Sequence, residues 1–333
     1  MKLALLQHLR CPQSGQSLVL ETVPEASLSD SSPDVEIMDG WLISKVSEHR
    51  YSIRYGIPRF VPESNYADNF GMQWNYFAKT QLDGHSGNSI SADRFWEATG
   101  WNPAEMKDKG VGCGSGRFAE VALSSGAQVV ALDYSSAVDA CYANLRHHPN
   151  LHVIQGDIYS LPFAPDTFSF VYFLGVLQRT PNVAKAFAVL PPIVRAGGYL
   201  CVDYYEKSFK NLLLPKYWLC PFTKDMSKQK LFPLLETIVS ILLPVSCTLG
   251  RILAVGKLLK CAIPVANYDG ILPPSEKQLR EWTLLDTFDW FPPTYDSPQT
   301  NKSARSYMEQ AQIEQIEVLK AGHLVTRGRK PTQ

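Results

Sequence analysis

No C-x-x-C pair occurs among the seven cysteines, Cys11, Cys113, Cys141, Cys201, Cys220, Cys247 and Cys261. An odd, irregularly spaced set argues against a disulfide framework and reads as free thiols in a reducing, cytoplasmic compartment. Net charge is missing too, since Lys plus Arg and Asp plus Glu number 32 each. Phosphate binding needs a basic surplus, so no nucleic-acid partner is expected. The densest basic cluster, Arg327-Gly328-Arg329-Lys330, reads as a solvated end. The most apolar stretch, Leu231 to Val245, is broken by Pro233, Glu236 and Pro244. It falls short of the roughly 20 apolar residues a spanning helix needs. Met1 to Leu6 is too short an apolar run before His8 and Arg10 to act as a secretory signal.

What is present is a globular chain of 333 residues, 45% apolar, organised around Gly110-Val111-Gly112-Cys113-Gly114-Ser115-Gly116-Arg117. Glycines at alternate positions leave bare backbone N–H groups at the start of a helix, where a ligand can lie close. Asp133 lies 21 residues beyond Gly112, after an apolar run, which suits a carboxylate accepting from a ribose. From 110 to about 206, strand and helix alternate: strands at Gln128–Asp133, Leu151–Gln155, Phe168–Leu174 and Tyr199–Tyr205, helices at Ala137–Arg146 and Val183–Arg195. The pattern predicts βαβ units, hence an α/β fold with a doubly wound, Rossmann-like, mostly parallel sheet. Gly116, Asp133, Asp157 and Phe173 all fall at the carboxyl ends of those strands, where such sheets bind ligands.

The flanks divide the rest. Residues 1–62 read as a small β-rich module with a Cys11-Pro12-Gln13-Ser14-Gly15 turn and a closing Gly56-Ile57-Pro58 turn. The module resembles zinc-ribbon-like domains that accompany many methyltransferases. A ribbon site takes about four Cys or His ligands in paired spacing. With only Cys11 present, and His8 and His49 the sole recruits, the expectation is a metal-free structural or docking module. Residues 63–103 are a helical lead-in with the aromatic segment Phe70-Gly71-Met72-Gln73-Trp74, which reads as core, or as a cover for a ligand through Gln73. Residues 104–206 are the cofactor-binding core. Residues 207–275 read as several short helices forming a lid over a substrate pocket. A dimer face or a peripheral membrane contact through 208–265 are the alternatives. Residues 276–333 complete the core sheet with a helix from about Asn301 to Gln312 and two strands.

The glycine spacing decides the cofactor expected. A dinucleotide loop, G-x-G-x-x-G, would put its third glycine at Arg117 or Ser115, which disfavours a nicotinamide-dependent oxidoreductase. The spacing present, followed by Ala131-Leu132-Asp133, Gly156-Asp157-Ile158 and Arg195-Ala196-Gly197-Gly198, resembles class I S-adenosylmethionine-dependent methyltransferases, specifically a bacterial branch of the type 11 domain. That resemblance implies S-adenosyl-L-methionine as cofactor. It implies that Gly112, Cys113, Gly114, Ser115, Gly116 and Phe173 flank the methionine moiety. Asp133, with Tyr134 after it, would hold the ribose, and Asp157 and Ile158 the adenine. The charge balance points to a small-molecule or lipid- or sugar-linked acceptor. No catalytic base stands out: Gln178-Arg179 stands where the family's fourth motif often ends in His-His or His-Arg, and Asp203, Tyr204, Asp289, Tyr295 and His323 are candidates by position only.

One thing is absent where the resemblance demands it. The first strand of the fold should be apolar over about 106–109 and end in an acid at position 110. The chain has Met106-Lys107-Asp108-Lys109-Gly110. Unpaired charges in a central strand cost several kcal/mol each. Either the strand is shortened, or residues from Trp101 to Met106 slide in to replace it. A methyltransferase-like binding protein with impaired cofactor binding is the rival reading.

Overall fold

The computed structural model describes residues 1–22, 35–62, 67–106, 109–111, 116–208, 219, 222–223, 226–251, 262–270, 275–291 and 295–332. Eleven strands are defined among them. β1 (Val19–Thr22), β2 (Gly40–Ile43), β3 (Arg50–Arg54) and β4 (Ile57–Arg59) form an antiparallel meander. Next come β5 (Lys109–Val111), β6 (Gln128–Asp133), β7 (Leu151–Gln155), β8 (Phe168–Phe173), β9 (Val194–Tyr204), β10 (Glu314–Ala321) and β11 (His323–Arg329). Their hydrogen bonds make two sheets, β1-β2-β3-β4-β7-β6-β5 and β10-β11-β9-β8.

The fold is the expected α/β sheet with helices packed on it. The meander is continuous with this core, because β4 pairs parallel with β7 through Arg59 and Gln155. Arg59 secures the join by donating to Gln155 Oε1 at 2.7 Å and to Asp139 at 2.6 Å. The helices are α1 (Asp68–Tyr76), α2 (Asp83–Ser86), α3 (Ile90–Thr99), α4 (Arg117–Ser124), α5 (Ala137–Leu145), α6 (Val183–Ala188), α7 (Lys228–Arg251), α8 (Glu276–Trp290) and α9 (Asn301–Gln310).

The sheet divides where the sequence is abnormal. Among the described residues β5 spans three positions, pairs with β6, and lies beside β8 without ladder hydrogen bonds to it. Met106 and Trp101 are buried, and the Trp101 ring packs on Phe170 at 5.0 Å and on Tyr172 at 6.3 Å. Lys107 and Asp108, on which the choice between a shortened strand and a replacement turns, lie outside the described residues. The position of the missing acid still has room. A Cβ added at Gly110 would meet the Phe170 carbonyl and the Tyr172 ring at 3.6 Å, ordinary contact distances. A chain with apolar residues at 107–109 and Gly110→Asp is accordingly expected to melt higher and to bind S-adenosylmethionine more tightly. Calorimetry on the two chains checks this, and equal affinities would sink it.

Four expectations are corrected. Val183 to Arg195 is not one helix: α6 ends at Ala188, and Pro191 and Pro192 open a 3-10 turn before β9. Proline has no N–H to continue the ladder. The 207–275 region is not only short helices, because α7 runs for 24 residues through Pro233 and Pro244. Both prolines lie on its exposed side, where a freed carbonyl can be hydrated, while Leu231, Leu235, Val239 and Leu243 bind the inner face to α8. The interruption read at these residues does not occur. From Gln229 to Arg251 the helix is long and apolar enough to cross a membrane by length and composition. Finally, the basic end is not solvated. Arg327 pairs with Glu317, Arg329 donates to the Gly197 carbonyl, and Lys330 reaches Asp166 and the Val194 carbonyl.

Candidate functional site

Parallel pairing aligns the strand ends. Val111 of β5 pairs with Val130, and β6 runs on to Asp133, which pairs with Gln155 at the end of β7. Of the glycine loop only Gly116 is described; Gly112, Cys113, Gly114 and Ser115 lie outside the described residues. Gly116 sits at φ +94° as the residue before α4. A Cβ there would come within 2.9 Å of Leu145 Cδ1 and 3.3 Å of Cys141 Sγ, so only glycine lets the chain turn this close to α5.

Asp133 occupies the next position. Ser135 donates to its Oδ1 twice, from N at 2.7 Å and from Oγ at 2.6 Å. Among the described residues both bonds land on Oδ1, which leaves Oδ2 for a ligand. Burial raises the acid's pKa, against those two bonds. Tyr134 is half-buried, and its carbonyl accepts from Gln155 Nε2 at 3.2 Å. Asp157 caps a 3-10 turn by accepting from Tyr159 N at 2.9 Å, with Ile158 buried behind it. Phe173 ends β8 fully buried in the core.

The lead-in helix α1 approaches this turn. A Cβ on Gly71 would meet Ser136 Oγ at 2.3 Å, and Asn75 Nδ2 donates to the Ser136 carbonyl at 3.0 Å. Sequence reasoning missed Asn75, Ser135 and the function of Gly71. The Phe-Gly pair inside an aromatic helix was the available signal, since a glycine costs helix stability unless something packs close. Gln73 serves as a tether, donating from Nε2 to the Leu285 carbonyl of α8 at 3.2 Å.

Two buried polar groups line the other flank. Arg179 pairs with Asp289 of α8, donates to Tyr205 Oη at 3.1 Å and lies over the Tyr205 ring at 4.9 Å. Asp296 lies 4.0 Å from the same guanidinium. Burial alone would lower the Arg179 pKa, but Asp289 and its neighbours reverse the direction and hold the charge firmly. Asp289 is thereby occupied, and Asp203 likewise, by Arg94 at 2.6 Å and Gly175 N at 2.5 Å. Tyr204 is buried, His323 packs on the Tyr205 edge at 5.0 Å, and Tyr295 is half-buried. The second group surrounds Arg117, the first residue of α4. It donates to Ser91 Oγ at 2.9 Å and Gln81 Oε1 at 3.1 Å, and burial lowers its pKa to about 10.

Asp286 of α8 faces Arg117 and accepts from the Tyr268 hydroxyl. Burial pushes its carboxyl up to about 6 from an ordinary 3.8. The folded state therefore holds this proton more tightly than the unfolded chain. Its stabilising contribution is complete below about pH 4 and disappears as pH rises through 6. Asp286→Asn keeps an acceptor for Tyr268 and removes that loss. Urea denaturation should show the variant gaining on the parent chain between pH 4.5 and 7.5. A stability difference that does not change with pH would refute the assignment.

Residues 110–202 match the family described as a methyltransferase domain. Over these residues the chain is similar to methyltransferase domains. S-adenosylmethionine is the cofactor of that family, and the donor set fits it: an acid at the end of the second core strand, a capped acid after the third, and a glycine turn that no side chain can occupy. A curated relative, the demethylmenaquinone methyltransferase of Renibacterium salmoninarum, is 33% identical over 96 residues, which is 29% of this chain. The match spans 40% of that relative's length. Among solved structures, an S-adenosyl-L-methionine-dependent methyltransferase of Methanococcus maripaludis shows 13% identity and a TM-score of 0.42, covering 82% of this chain and 97% of that one. Human N-acetylserotonin methyltransferase shows 10% identity and a TM-score of 0.41, covering 80% and 57%. Both are loose likenesses.

Proposed function

We propose that this protein transfers a methyl group from S-adenosylmethionine to a small-molecule or lipid- or sugar-linked acceptor. The observation that carries the reading is Asp133, held at the end of β6 by Ser135 through Oδ1, while Oδ2 takes no hydrogen bond from the described residues. In this reading Asp133 accepts from the ribose hydroxyls, with Tyr134 beside it. Asp157 and Ile158 frame the adenine, and Gly112 to Gly116 with Phe173 flank the methionine part. Bound there, the cofactor supplies an activated methyl group on a sulfonium, so the protein's task is alignment and exclusion of water.

A lipid-linked acceptor is supported by α7, which exposes Leu234, Ile241 and Val245 on its outer face next to the core. The same face suits peripheral membrane contact. We place the protein in the cytoplasm, supported by the free thiols Cys11, Cys141, Cys201 and Cys247. Saturable S-adenosylhomocysteine binding, with no binding of NAD, is the expected calorimetric result; no binding of either would overturn the reading. With methyl-labelled cofactor and a cell extract, label entering the organic phase supports the lipid-linked acceptor. Label confined to the aqueous phase overturns that part alone.

A further inference from the structure

The N-terminal meander contains two loops with the same backbone plan. In the first, Cys11 N donates to the Gln16 carbonyl and Gly15 N to the Cys11 carbonyl, both at 2.8 Å. In the second, Ser44 N donates to the His49 carbonyl and Glu48 N to the Ser44 carbonyl, both at 2.9 Å. The residue four places on is left-handed in each, Gly15 at φ +68° and Glu48 at φ +57°. Each loop thus starts on one residue and offers a second three places later: Cys11 and Ser14, then Ser44 and Ser47.

These four side chains meet. Ser14 Oγ lies 3.4 Å from Ser44 Oγ, Ser47 Oγ donates to Ser44 Oγ at 2.8 Å, and Cys11 Sγ lies 3.5 Å from Ser47 Oγ. Tyr51 Oη closes the group 3.3 Å from Cys11 Sγ, and Ser44 is fully buried. Paired C-x-x-C loops converging on one point are the arrangement that holds structural zinc, with four thiolate or imidazole ligands around a tetrahedral ion. Here the spacing and the convergence are kept while three of the four donors are neutral hydroxyls, which do not serve that ion. Among the described residues no group of three His, Cys, Asp or Glu side chains comes together, so no other donor set replaces them.

We propose that Cys11, Ser14, Ser44 and Ser47 occupy the four ligand positions of a double-loop zinc site in which hydroxyl hydrogen bonds have taken over the metal's structural role. The module is then held together without metal, and its frame can accept zinc again once thiols are restored. This inference does not depend on the methyltransferase reading.

The test uses the full chain under reducing conditions, loaded with zinc alone and then passed through a mild chelator. The Ser14→Cys/Ser44→Cys/Ser47→Cys chain is expected to keep about one zinc ion and to melt higher with zinc than without. Cobalt in its place should give the visible bands of a tetrahedral thiolate site. The parent chain should keep none. A folded triple variant that retains no metal would overturn the proposal, and so would stoichiometric zinc in the parent chain. If the triple variant does not fold, Ser44→Ala decides. Loss of the contacts to Ser14 and Ser47 should lower the melting temperature of the parent chain, and an unchanged melting temperature refutes the structural role of the hydroxyls.

Discussion

Asp133→Ala lowers affinity for S-adenosylhomocysteine by roughly 10²–10⁴-fold, the expected cost of two hydrogen bonds to a charged acceptor at about 1.5–3 kcal/mol each. The effect is large because the site offers no substitute. Ser135 already uses Oδ1, and the described residues hold no other carboxylate at the end of β6. The fold should survive the change, since what it loses is one local turn between residues 133 and 135, which far-UV circular dichroism and a melting curve would monitor. Calorimetric titration of the folded variant checks it. Undiminished affinity would remove Asp133 from the ribose and leave the cofactor geometry without its anchor.

Removing Arg179 should have the largest effect on stability. Its guanidinium is 8% exposed, Asp289 is 20% exposed, and the pair joins the 3-10 turn Leu177–Arg179 to α8. Arg179→Met leaves the half-buried Asp289 with the Tyr205 hydroxyl but without its cation, at a cost of about 3 kcal/mol in urea denaturation. The double variant Arg179→Met/Asp289→Leu should recover most of that loss, because it removes the orphaned charge together with its partner. A double variant no more stable than the single one would show that Arg179 acts through Tyr205 and Asp296 instead.

Both predictions rest on residues whose legibility differed. Asp133 was readable because a strand followed by an acid at a fixed distance from a glycine loop is a local pattern, set by strand length and turn chemistry. Gly116 was readable for the same reason. The ion pair of Arg179 with Asp289 was not readable: 110 residues separate the partners, and only the packing of α8 over the sheet brings them together. The same holds for Ser14 and Ser44. Serine pairs at three-residue spacing are common in loops, and their meaning appears only when two loops with one backbone plan close on each other.

The sequence by itself determined the α/β class, the succession of strands along the chain from β6 to β11, and the polar residues placed at the strand ends, since alternation of apolar runs with glycine and acid turns is a short-range signal. It also located the fault in the first core strand, because three charges cannot stand where a buried strand belongs. Tertiary structure decided that Trp101 and Met106 are buried and that the sheet divides between β5 and β8. It also decided that α7 continues through two prolines, that the basic end clamps the sheet, and that the N-terminal meander extends the core through β4. Each of those outcomes depends on which distant surfaces meet, and burial energy is assigned only when they do.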